Sequence, residues 1–455
     1  MKVLVVGGGG REHALVHAFA SSPLQPQLFC APGNAGIAKE AQCVPIGAES
    51  VDDLLRFALA EQIDLTVVGP EAPLVAGIAD AFAGHGLLVF GPSAAAAQLE
   101  GSKAFTKEIL NEAGAPTARF SSHTDAAEAL AALDTHDSYP LVVKADGLAA
   151  GKGVFIAQNR DDARDAIQTN LVDRAFGDSS DTILIEEYLD GSEVSLLVLC
   201  DGTTAIPMAP AQDYKRIFAG DQGPNTGGMG SYCPVPGFDQ QAIDHVMDVV
   251  VEPVLAALRR RGIDYRGVLY AGLIVTPEGV KVLEFNCRFG DPETQAILPR
   301  LRSDLLAACL AAAKGELAGT ALDWYDESCV SVVMASRGYP ATSSKGDVIN
   351  GLGRAAGLPD VVVYHAGTKF EDVGAVGGGC CGGPDLPIVT NGGRVLAVSA
   401  IGGTFADARG LAYAGVAQIS FDGAQSRADI AERAVRAERG EVSLFPQGWA
   451  AATLG

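Results

Sequence analysis

The chain opens with a short run of β-branched apolar residues that ends in four glycines. Lys2–Val6 forms this run, Gly7–Gly10 follows it, and a helical pattern extends over His13–Ala20. The runs Leu65–Val68 and Leu87–Phe90 have the same character, and each ends at a Gly-Pro pair. Short buried strands that alternate with helices are typical of a doubly wound parallel sheet. The sequence therefore predicts an α/β domain over residues 1–103.

The middle of the chain carries a different mixture of strands and helices. Leu269–Val275 and Val280–Asn286 are strand-like runs joined by a turn at Pro277–Gly279, which predicts an antiparallel hairpin. We expect an α+β domain over residues 104–325 and a third, mixed β/α domain over residues 326–455. Further strands are predicted at Leu141–Lys144, Thr182–Glu187, Val194–Cys200, Val330–Ala335, Val361–His365 and Arg394–Ala400, and helices at 104–111 and Ile243–Arg261.

Composition excludes several classes of protein. A length of 455 residues suits about three domains, and 48% hydrophobic content indicates packed globular structure. The formal net charge of −22 disfavours a nucleic-acid partner. Nine cysteines without a CxxC pair predict reduced thiols in a cytoplasmic protein. No run resembles a signal peptide or a membrane span, so we expect no membrane partner, and we favour a monomer.

The loop Gly7–Gly10 follows a strand and precedes a helix, where backbone N–H groups bind anions. A dinucleotide fingerprint fits poorly, because Glu12 and His13 occupy the position of its final glycine in the two possible frames. The second strand is followed by Cys30, Ala31 and Pro32 and not by an acid for a ribose. A phosphate site and a tight turn without ligand remain equally supported by this loop.

A second glycine-rich loop, Asp146–Val154, has the sequence DGLAAGKGV and follows the strand that ends at Lys144. Small residues and lysines can surround a polyphosphate with backbone N–H groups and positive charge. The loop is not a Walker A motif, because Gly153 stands where that motif needs Ser or Thr. A flexible hairpin with a solvated lysine is the alternative.

An acid, an amide and a cation alternate along the segment after Lys281. With a period of two, Val282, Glu284, Asn286 and Arg288 are predicted to share one face of a strand. Glu and Asn oxygens suit Mg²⁺ that bridges phosphates, and an arginine just beyond them suits a carboxylate. A solvent-facing polar strand is the alternative, and we consider it weaker.

Taken in order, these segments resemble the ATP-grasp ligases, and among them the phosphoribosylamine–glycine ligase (glycinamide ribonucleotide synthetase) family. The resemblance runs from VVGGGGREHAL and GPEAPL through the glycine-rich loop, EEYLDGSEVS, QDYKR, GPNTGGMGS and EFNCRFGDPE to HAGT and NGGRVL. It implies an N-terminal substrate domain, a central ATP-grasp domain with a mobile lid over about 118–188, and a C-terminal domain. The implied reaction joins glycine to 5-phosphoribosylamine through glycyl phosphate in de novo purine synthesis, with ATP as substrate and Mg²⁺ or Mn²⁺ as cofactor.

The resemblance also implies roles for individual residues. The metal ligands would be Glu284 and Asn286. ATP would be bound by Lys103, Lys144, Asp146, Gly147, Gly151, Lys152, Gly153, Glu186, Glu187, Leu189 and Glu193. The catalytic candidates are Arg288, Asp213 and Lys215. The substrate-binding candidates are Gly9, Gly10 and Asn34 for the phosphate of ribosylamine, Glu71 for its ribose, Arg288 for the glycine carboxylate and Asp213 for the glycine amine.

Some alternatives stay open at this point. Lys215 and Arg216 could be ordinary surface charges, Glu187 could face solvent beside a contacting Glu186, and Arg11 could serve the loop or the phosphate. We expect His13 and His365 to be structural. The strand before Glu284 holds Leu269–Gly272 and no acid, so a third metal carboxylate is not expected. The competing functions are another ATP-grasp carboxylate–amine ligase, a non-catalytic nucleotide-binding regulator, and a nicotinamide-dependent oxidoreductase, which the broken fingerprint disfavours.

Overall fold

The computed structural model describes residues 1–134, 136, 138–148, 153–371, 386–447 and 449. The first region contains a five-stranded, wholly parallel sheet in the order β3-β2-β1-β4-β5, as predicted for this region. Its elements are β1 Lys2–Gly7, α1 Gly10–Ala20, β2 Gln27–Pro32, a 3₁₀ turn Ile37–Lys39, β3 Gln42–Cys43, α2 Val51–Glu61, β4 Leu65–Val68, α3 Glu71–Val75, α4 Ile78–Ala83, β5 Val89–Phe90, α5 Ala94–Gly101 and α6 Lys103–Ala113.

A small antiparallel sheet follows, in the order β6-β9-β7-β8, with a hydrophobic core of its own. The core is formed by apolar side chains of its strands and of two helices, among them Leu133, Val143 and Ile167. This unit coincides with the segment predicted to be a lid. Its elements are β6 Phe120–His123, α7 Ala126–Leu133, β7 Leu141–Ala145, β8 Val154–Ala157, α8 Arg160–Ile167, a π-helical turn Gln168–Val172, a 3₁₀ turn Gly177–Ser180 and β9 Ile183–Glu187.

The central sheet, β11-β10-β16-β17, is antiparallel and carries the predicted hairpin. The elements of this region are β10 Ser192–Asp201, β11 Ala205–Pro207, β12 Gln212–Asp213, β13 Arg216–Phe218, β14 Gln222–Asn225, β15 Gly230–Cys233, α9 Gln240–Val246, a π-helical turn Met247–Val251, α10 Glu252–Arg260, β16 Arg266–Thr276, β17 Gly279–Asn286, α11 Thr294–Ile297, a 3₁₀ turn Leu298–Arg300 and α12 Leu305–Lys314.

The third large sheet, β12-β15-β18-β22-β19, combines strands from the middle and the end of the chain. Strand β15 pairs with β18 from Gly230 opposite Val332 to Cys233 opposite Cys329. Residues on both sides of position 325 therefore build one sheet. The last elements are β18 Ser328–Ala335, α13 Leu352–Ala356, β19 Val361–His365, β20 Thr368–Phe370, β21 Ile388–Thr390, β22 Arg394–Gly402, α14 Phe405–Gln418 and α15 Glu432–Glu438.

One prediction about strand faces is wrong. Val282 is buried in the hydrophobic core together with Phe285, whereas Glu284 is exposed. The pairing of β16 with β17 shifts register here, because Gly272 faces Glu284 but the next residue, Leu273, faces Val282. A bulge of this kind places one additional residue in a strand and reverses its alternation. Glu284 consequently lies opposite the core side, and Val282 does not share its face.

In the part of the chain that the structure describes, no helix is long and apolar enough to cross a lipid bilayer.

Candidate active site

The first glycine-rich loop is filled by the side chain of Glu12. The Oε2 atom of Glu12 accepts a hydrogen bond from the Gly9 N–H at 2.6 Å, and its Oε1 atom accepts one from Arg11. A Cβ atom on Gly7 or Gly69 would lie 2.6 or 2.0 Å from Glu12. These glycines are therefore needed to admit a buried carboxylate, which caps the first turn of α1. The Gly9 N–H is already used, and Gly10 begins the helix.

Asn34 holds three parts of the chain together. Its Nδ2 group donates to the carbonyl oxygens of Gly8 and His365, both at 2.9 Å. Its Oδ1 atom accepts from the N–H groups of Gly36 and Ile37. Because these bonds use both ends of the amide, a phosphate contact at Asn34 would have to replace one of them. The structure thus gives Asn34 a packing function that the sequence did not indicate.

His13 and His365 are buried and lie next to each other, joined by a hydrogen bond. The His13 Nδ1 atom accepts the backbone N–H of His365 at 2.7 Å, and its Nε2 atom lies 3.3 Å from Glu40. Burial lowers the pKa of both imidazoles. Both imidazoles are hydrogen-bonded where α1 meets β19, and their structural role stays a prediction.

Arg288 lies between two carboxylates at the end of β17. Its Nη2 atom is 2.8 Å from Glu100 and its Nε atom is 3.2 Å from Glu71. Burial raises the pKa of Glu100, although the charge of Arg288 opposes this. Glu100 also accepts the backbone N–H of Cys287 at 2.7 Å. Glu100 therefore fixes both the backbone and the guanidinium of the predicted carboxylate clamp.

The start of the second glycine-rich loop, Asp146 and Gly147, is hydrogen-bonded to the start of α6. The Asp146 carboxylate accepts from the Ser102 hydroxyl and, at 3.1 Å, from the Ala104 N–H, so it caps α6. The Lys103 ammonium donates to the Gly147 carbonyl at 2.9 Å. Gly147 has φ +85°, a conformation that favours glycine. Of the predicted loop residues, Gly153 is buried at the end of the loop, and Gly151 and Lys152 lie outside the described residues.

Glu186 is buried between two lysines in the lid sheet. Its carboxylate lies 2.9 Å from Lys144 and 3.4 Å from Lys107. The Oε1 atom of Glu186 is buried and has no hydrogen-bond partner among the described residues. Burial lowers the pKa of Lys107 to about 8, although Glu186 opposes the shift. Oε1 is thus paired with the charge of Lys107 but forms no hydrogen bond, so this buried carboxylate beside the turn to Leu189 keeps an acceptor position for a polar ligand.

Glu187 points to a different set of partners. Its carboxylate accepts from the backbone N–H of Arg119 at 3.0 Å and lies 2.7 Å from the Nε atom of that arginine. Lys281 lies 3.8 Å away. The side chain of Glu187 is thus engaged at the surface, so a contact with a nucleotide at this position would come from its backbone. Glu186 is the better side-chain candidate of the two.

Lys215 connects Asp213 and Glu193. Its ammonium lies 2.6 Å from Glu193 and 3.0 Å from Asp213. Burial would lower the pKa of Lys215, but the two carboxylates outweigh it and raise the pKa well above its usual range. The charge of Lys215 lowers the pKa of Glu193. Asp213 and Lys215 of the QDYKR motif therefore form one charged cluster with Glu193 of the EEYLDGSEVS motif, and their function stays a prediction.

Asp213 sits at the inner end of this cluster. Burial raises its pKa to about 7; Lys215 opposes the shift, and Glu293 reinforces it. Glu293 accepts a hydrogen bond from the Tyr270 hydroxyl at 2.8 Å, and that hydroxyl is 2.7 Å from Ser195. Asp213 is thus a carboxyl group that changes charge near neutral pH, beside a fixed polar network.

Glu284 and Asn286 lie near the end of β17, where they pair with Gly272 and Tyr270 of β16, respectively. No group of three or more His, Cys, Asp or Glu side chains within the described ranges is placed to hold a metal. Two protein oxygens nevertheless suit Mg²⁺, which commonly takes one or two carboxylates and completes its shell with phosphates and water. Burial lowers the pKa of Lys103, and the nearby charge of Glu284 opposes this shift. The donor set fits a metal bound together with a polyphosphate.

Several contributors to this site were missed at the sequence level. Glu100 and Lys107 lie in helices and carry no local motif. Asp291 and Glu293 stand in the EFNCRFGDPE segment but received no role. Arg394 donates at 2.7 Å to the Asp291 carbonyl, contacts the Gly227 carbonyl, and lies 3.3 Å from the Asp291 carboxylate. The motifs EFNCRFGDPE, which holds Asp291 and Glu293, and NGGRVL, which holds Arg394, could have indicated these residues. Glu100 could be found only from the fold.

The residues described above lie within regions of the chain that match known proteins. Three family models match in succession, those of the phosphoribosylglycinamide synthetase N domain over residues 1–100, its ATP-grasp (A) domain over 101–294 and its C domain over 329–433. A curated phosphoribosylamine–glycine ligase of Caldanaerobacter subterraneus is 47% identical over 95% of this chain and 99% of its own length. That of Escherichia coli K12 is 48% identical over 96% of this chain and 100% of its own.

Solved structures give the same picture. The crystal structure of a phosphoribosylamine–glycine ligase from Thermotoga maritima has a TM-score of 0.81 and 30% identity, and the match covers 94% of this chain and 100% of that one. The biotin carboxylase domain of a 2-oxoglutarate carboxylase from Hydrogenobacter thermophilus has a TM-score of 0.69 at 18% identity, covering 93% and 91% of the two chains. The second likeness concerns the fold alone.

Proposed function

This chain belongs to the phosphoribosylglycinamide synthetase family, and we propose that it joins glycine to 5-phosphoribosylamine with ATP. The products would be glycinamide ribonucleotide, ADP and phosphate, a step of de novo purine synthesis. One observation carries the proposal: the family match, residues 1–100, 101–294 and 329–433, contains every charged cluster described above. The residues assigned below therefore lie within the ranges that the family models match.

The chemistry requires two displacements. A carboxylate oxygen of glycine attacks the γ-phosphorus of ATP, and ADP departs with the electrons of the broken P–O bond. The ribosylamine nitrogen then attacks the carbonyl carbon of glycyl phosphate, phosphate departs, and the nitrogen loses a proton. Both steps concentrate negative charge on phosphate oxygens, so positioning and charge neutralisation supply most of the catalysis.

We assign the nucleotide phosphates to Lys103 and Lys144, which flank the second glycine-rich loop. The adenine would lie beside Glu186 and the turn at Leu189, and its ribose beside Glu193. Glu284 and Asn286 would hold Mg²⁺ or Mn²⁺, which neutralises phosphate charge when bound. The buried acceptor of Glu186 and the proximity of Glu284 to Lys103 support this placement.

We assign glycine to Arg288 and Asp213. A guanidinium can bind the glycine carboxylate through two parallel hydrogen bonds, and an ionised Asp213 can accept the ammonium. Lys215, on the same cluster, would lie near the transferred phosphoryl group as a cation. Arg288 is supported by its fixed orientation against Glu100 at 2.8 Å.

We assign ribosylamine to the first domain. The N-terminus of α1, at Gly9 and Gly10, would attract its phosphate, and Glu71 would accept its ribose hydroxyls. Because the Gly9 N–H already donates to Glu12, the phosphate would accept hydrogen bonds from the neighbouring N–H groups of the helix. Asn34 would act on this site by holding the loop.

The segment 118–188 would act as a lid that shields glycyl phosphate from water. Its separate hydrophobic core supports movement as a unit. We further infer a monomer in the cytoplasm; the scattered cysteines support the reducing compartment only.

The decisive assay measures ADP release by the purified protein with glycine and ribosylamine together, and with each omitted. We expect release only with both, and glycinamide ribonucleotide as the product. Release with another carboxylate in place of glycine would favour a different ATP-grasp ligase. ATP binding without any turnover would favour the regulator.

A further inference from the structure

The segment that carries Asp213 and Lys215 is held by a loop from the end of the chain. Tyr214 lies between these two residues. Its hydroxyl oxygen accepts the backbone N–H of Ala431 at 2.9 Å. The Arg427 guanidinium lies over its ring, with Cζ 4.7 Å from the ring centroid. The residue between two proposed site residues is thus fixed by contacts that come from more than 200 positions away.

Arg427 also holds the hairpin that follows Lys215. Its side chain is completely buried. Its Nη1 group donates to the Arg216 carbonyl at 3.0 Å and to Asp221 at 2.8 Å. Its Nε and Nη2 groups donate to the two oxygens of Asp429 at 2.8 and 2.7 Å. A buried guanidinium is tolerated only when its donors are satisfied in this way.

Asp429 completes the attachment, because its Oδ2 atom also accepts the Gly220 N–H at 2.9 Å. The start of the hairpin at Arg216 and its turn at Gly220 and Asp221 are therefore bound to one loop. We call Arg427, Asp429 and Ala431 the C-terminal clamp.

Lys215 has a long side chain with many rotamers, so the direction of its backbone decides where its ammonium is placed. Its carbonyl accepts two hydrogen bonds from Thr226, which directly follows the far strand of the same hairpin, at 2.7 and 2.8 Å. The ammonium then meets Glu193 and Asp213. A displacement of the hairpin would move this carbonyl and enlarge the set of positions that the ammonium visits.

We propose that Arg427 is a positioning residue of the active site, which acts through Tyr214 and the hairpin to fix Asp213 and Lys215 for glycine. The proposal rests on the proposed function. It adds a contribution of the C-terminal region to catalysis, made without contact between the clamp and a substrate.

The test compares Arg427→Lys with Arg409→Lys. Lysine keeps the charge of Arg427 but cannot reach Arg216, Asp221 and Asp429 together. Arg409 is a matched control, because it donates to the Ile430 and Ala428 carbonyls of the same loop and, in the part of the chain that the structure describes, forms no hydrogen bond or ion pair with the hairpin. We expect Arg427→Lys to raise the KM for glycine about tenfold, with the Kd of a non-hydrolysable ATP analogue nearly unchanged. Arg409→Lys should change neither.

A second variant covers the case in which Arg427→Lys does not fold. Tyr214→Phe keeps the ring and removes only the acceptor of the Ala431 N–H, and we expect a rise of about threefold in the KM for glycine. An unchanged glycine KM in folded Arg427→Lys, or in Tyr214→Phe if the first variant is unfolded, would overturn the proposal. So would a parallel loss of glycine and nucleotide affinity in Arg427→Lys and Arg409→Lys, since that is the mark of general destabilisation.

Amide hydrogen exchange over residues 216–225 separates this proposal from the proposed function, because it needs no substrate. Exchange should be faster in Arg427→Lys than in Arg409→Lys. If wild-type protein released no ADP with glycine and ribosylamine, the proposed function would fail on its own. Equal exchange in the two variants would refute the clamp even in an active enzyme.

Discussion

The Nε atom of Arg288 lies 3.2 Å from the Oε2 atom of Glu71, across 217 positions of sequence. The contact joins the end of β17 to the start of α3, and so joins the ATP-grasp region to the first domain. Burial would raise the pKa of Glu71, but Arg288 and Arg11 outweigh it and lower the pKa. Both residues are proposed to bind substrates. The carboxylate of glycine would therefore compete with Glu71 for the guanidinium, and binding of one substrate would affect the site of the other.

We predict that Arg288→Lys raises the KM for glycine at least about tenfold, because an ammonium cannot reproduce the planar pair of donors. Steady-state kinetics at saturating ATP measure this. Arg302→Lys is the control, since Arg302 pairs at 3.5 Å with Asp323 and more than half of its side chain is exposed. An unchanged requirement for glycine in the first variant would remove Arg288 as the carboxylate clamp.

Glu284→Gln should lower turnover about 100-fold at limiting magnesium, because a neutral amide is a poorer ligand than a carboxylate. Excess Mg²⁺ should restore part of the rate. Glu278→Gln serves as the control, because Glu278 lies in the exposed turn before β17, where its carboxylate accepts from Lys281 at 2.8 Å and its backbone N–H donates to the Thr276 hydroxyl. Near-normal turnover of Glu284→Gln at limiting magnesium would contradict the metal assignment.

The pKa of Asp213, about 7, predicts how glycine binding depends on pH. Only the ionised carboxyl can accept the glycine ammonium, and the fraction ionised rises about tenfold from pH 6 to pH 8 for a group of this pKa. The KM for glycine should therefore fall by about that factor as the pH rises through 7. Asp213→Asn should show a high and flat profile. A flat profile in the wild-type protein would contradict titration of Asp213 near pH 7, and an unchanged glycine KM in Asp213→Asn would remove Asp213 as the partner of the amine.

Limited proteolysis tests the lid. We expect an ATP analogue with Mg²⁺ to slow cleavage within residues 118–188, because closure would order the segment over the nucleotide. Cleavage elsewhere in the chain should change little and provides the internal control. Equal rates in the lid with and without the analogue would argue against closure. Lys144→Met should weaken the protection, since Lys144 is proposed to contact the phosphates.

Much of the fold follows from local sequence. The runs Leu65–Val68 and Val361–His365 are strands with the predicted ends. Helix α1 begins at Gly10, three residues before the predicted His13, because Glu12 caps it from within. The predicted helix at Ile243–Arg261 is interrupted by the wider turn Met247–Val251. Such differences arise where one side chain or one extra residue changes the local hydrogen bonds, which periodicity does not reveal.

The ion-pair partners in the charged clusters, in contrast, depend on tertiary packing and not on local sequence. Glu100 is an ordinary helical residue in the sequence, and Glu186 and Glu187 are adjacent and chemically identical. In the folded chain, Glu100 forms an ion pair with Arg288. Glu186 is buried between Lys107 and Lys144, whereas Glu187 pairs with Arg119. Alternation along a strand separates such neighbours onto opposite faces, but only packing decides which face is inside.

The sequence by itself determined the parallel first domain, the chemistry of the motifs and the family to which they point. Those properties depend on residue type and spacing, which act over short distances along the chain. The tertiary structure alone decided the partners: Glu71 beside Arg288, Glu12 inside its glycine loop, and Arg427 behind Lys215. These pairs depend on which surfaces pack together, and a charge buried by that packing must find its partner wherever the fold brings one.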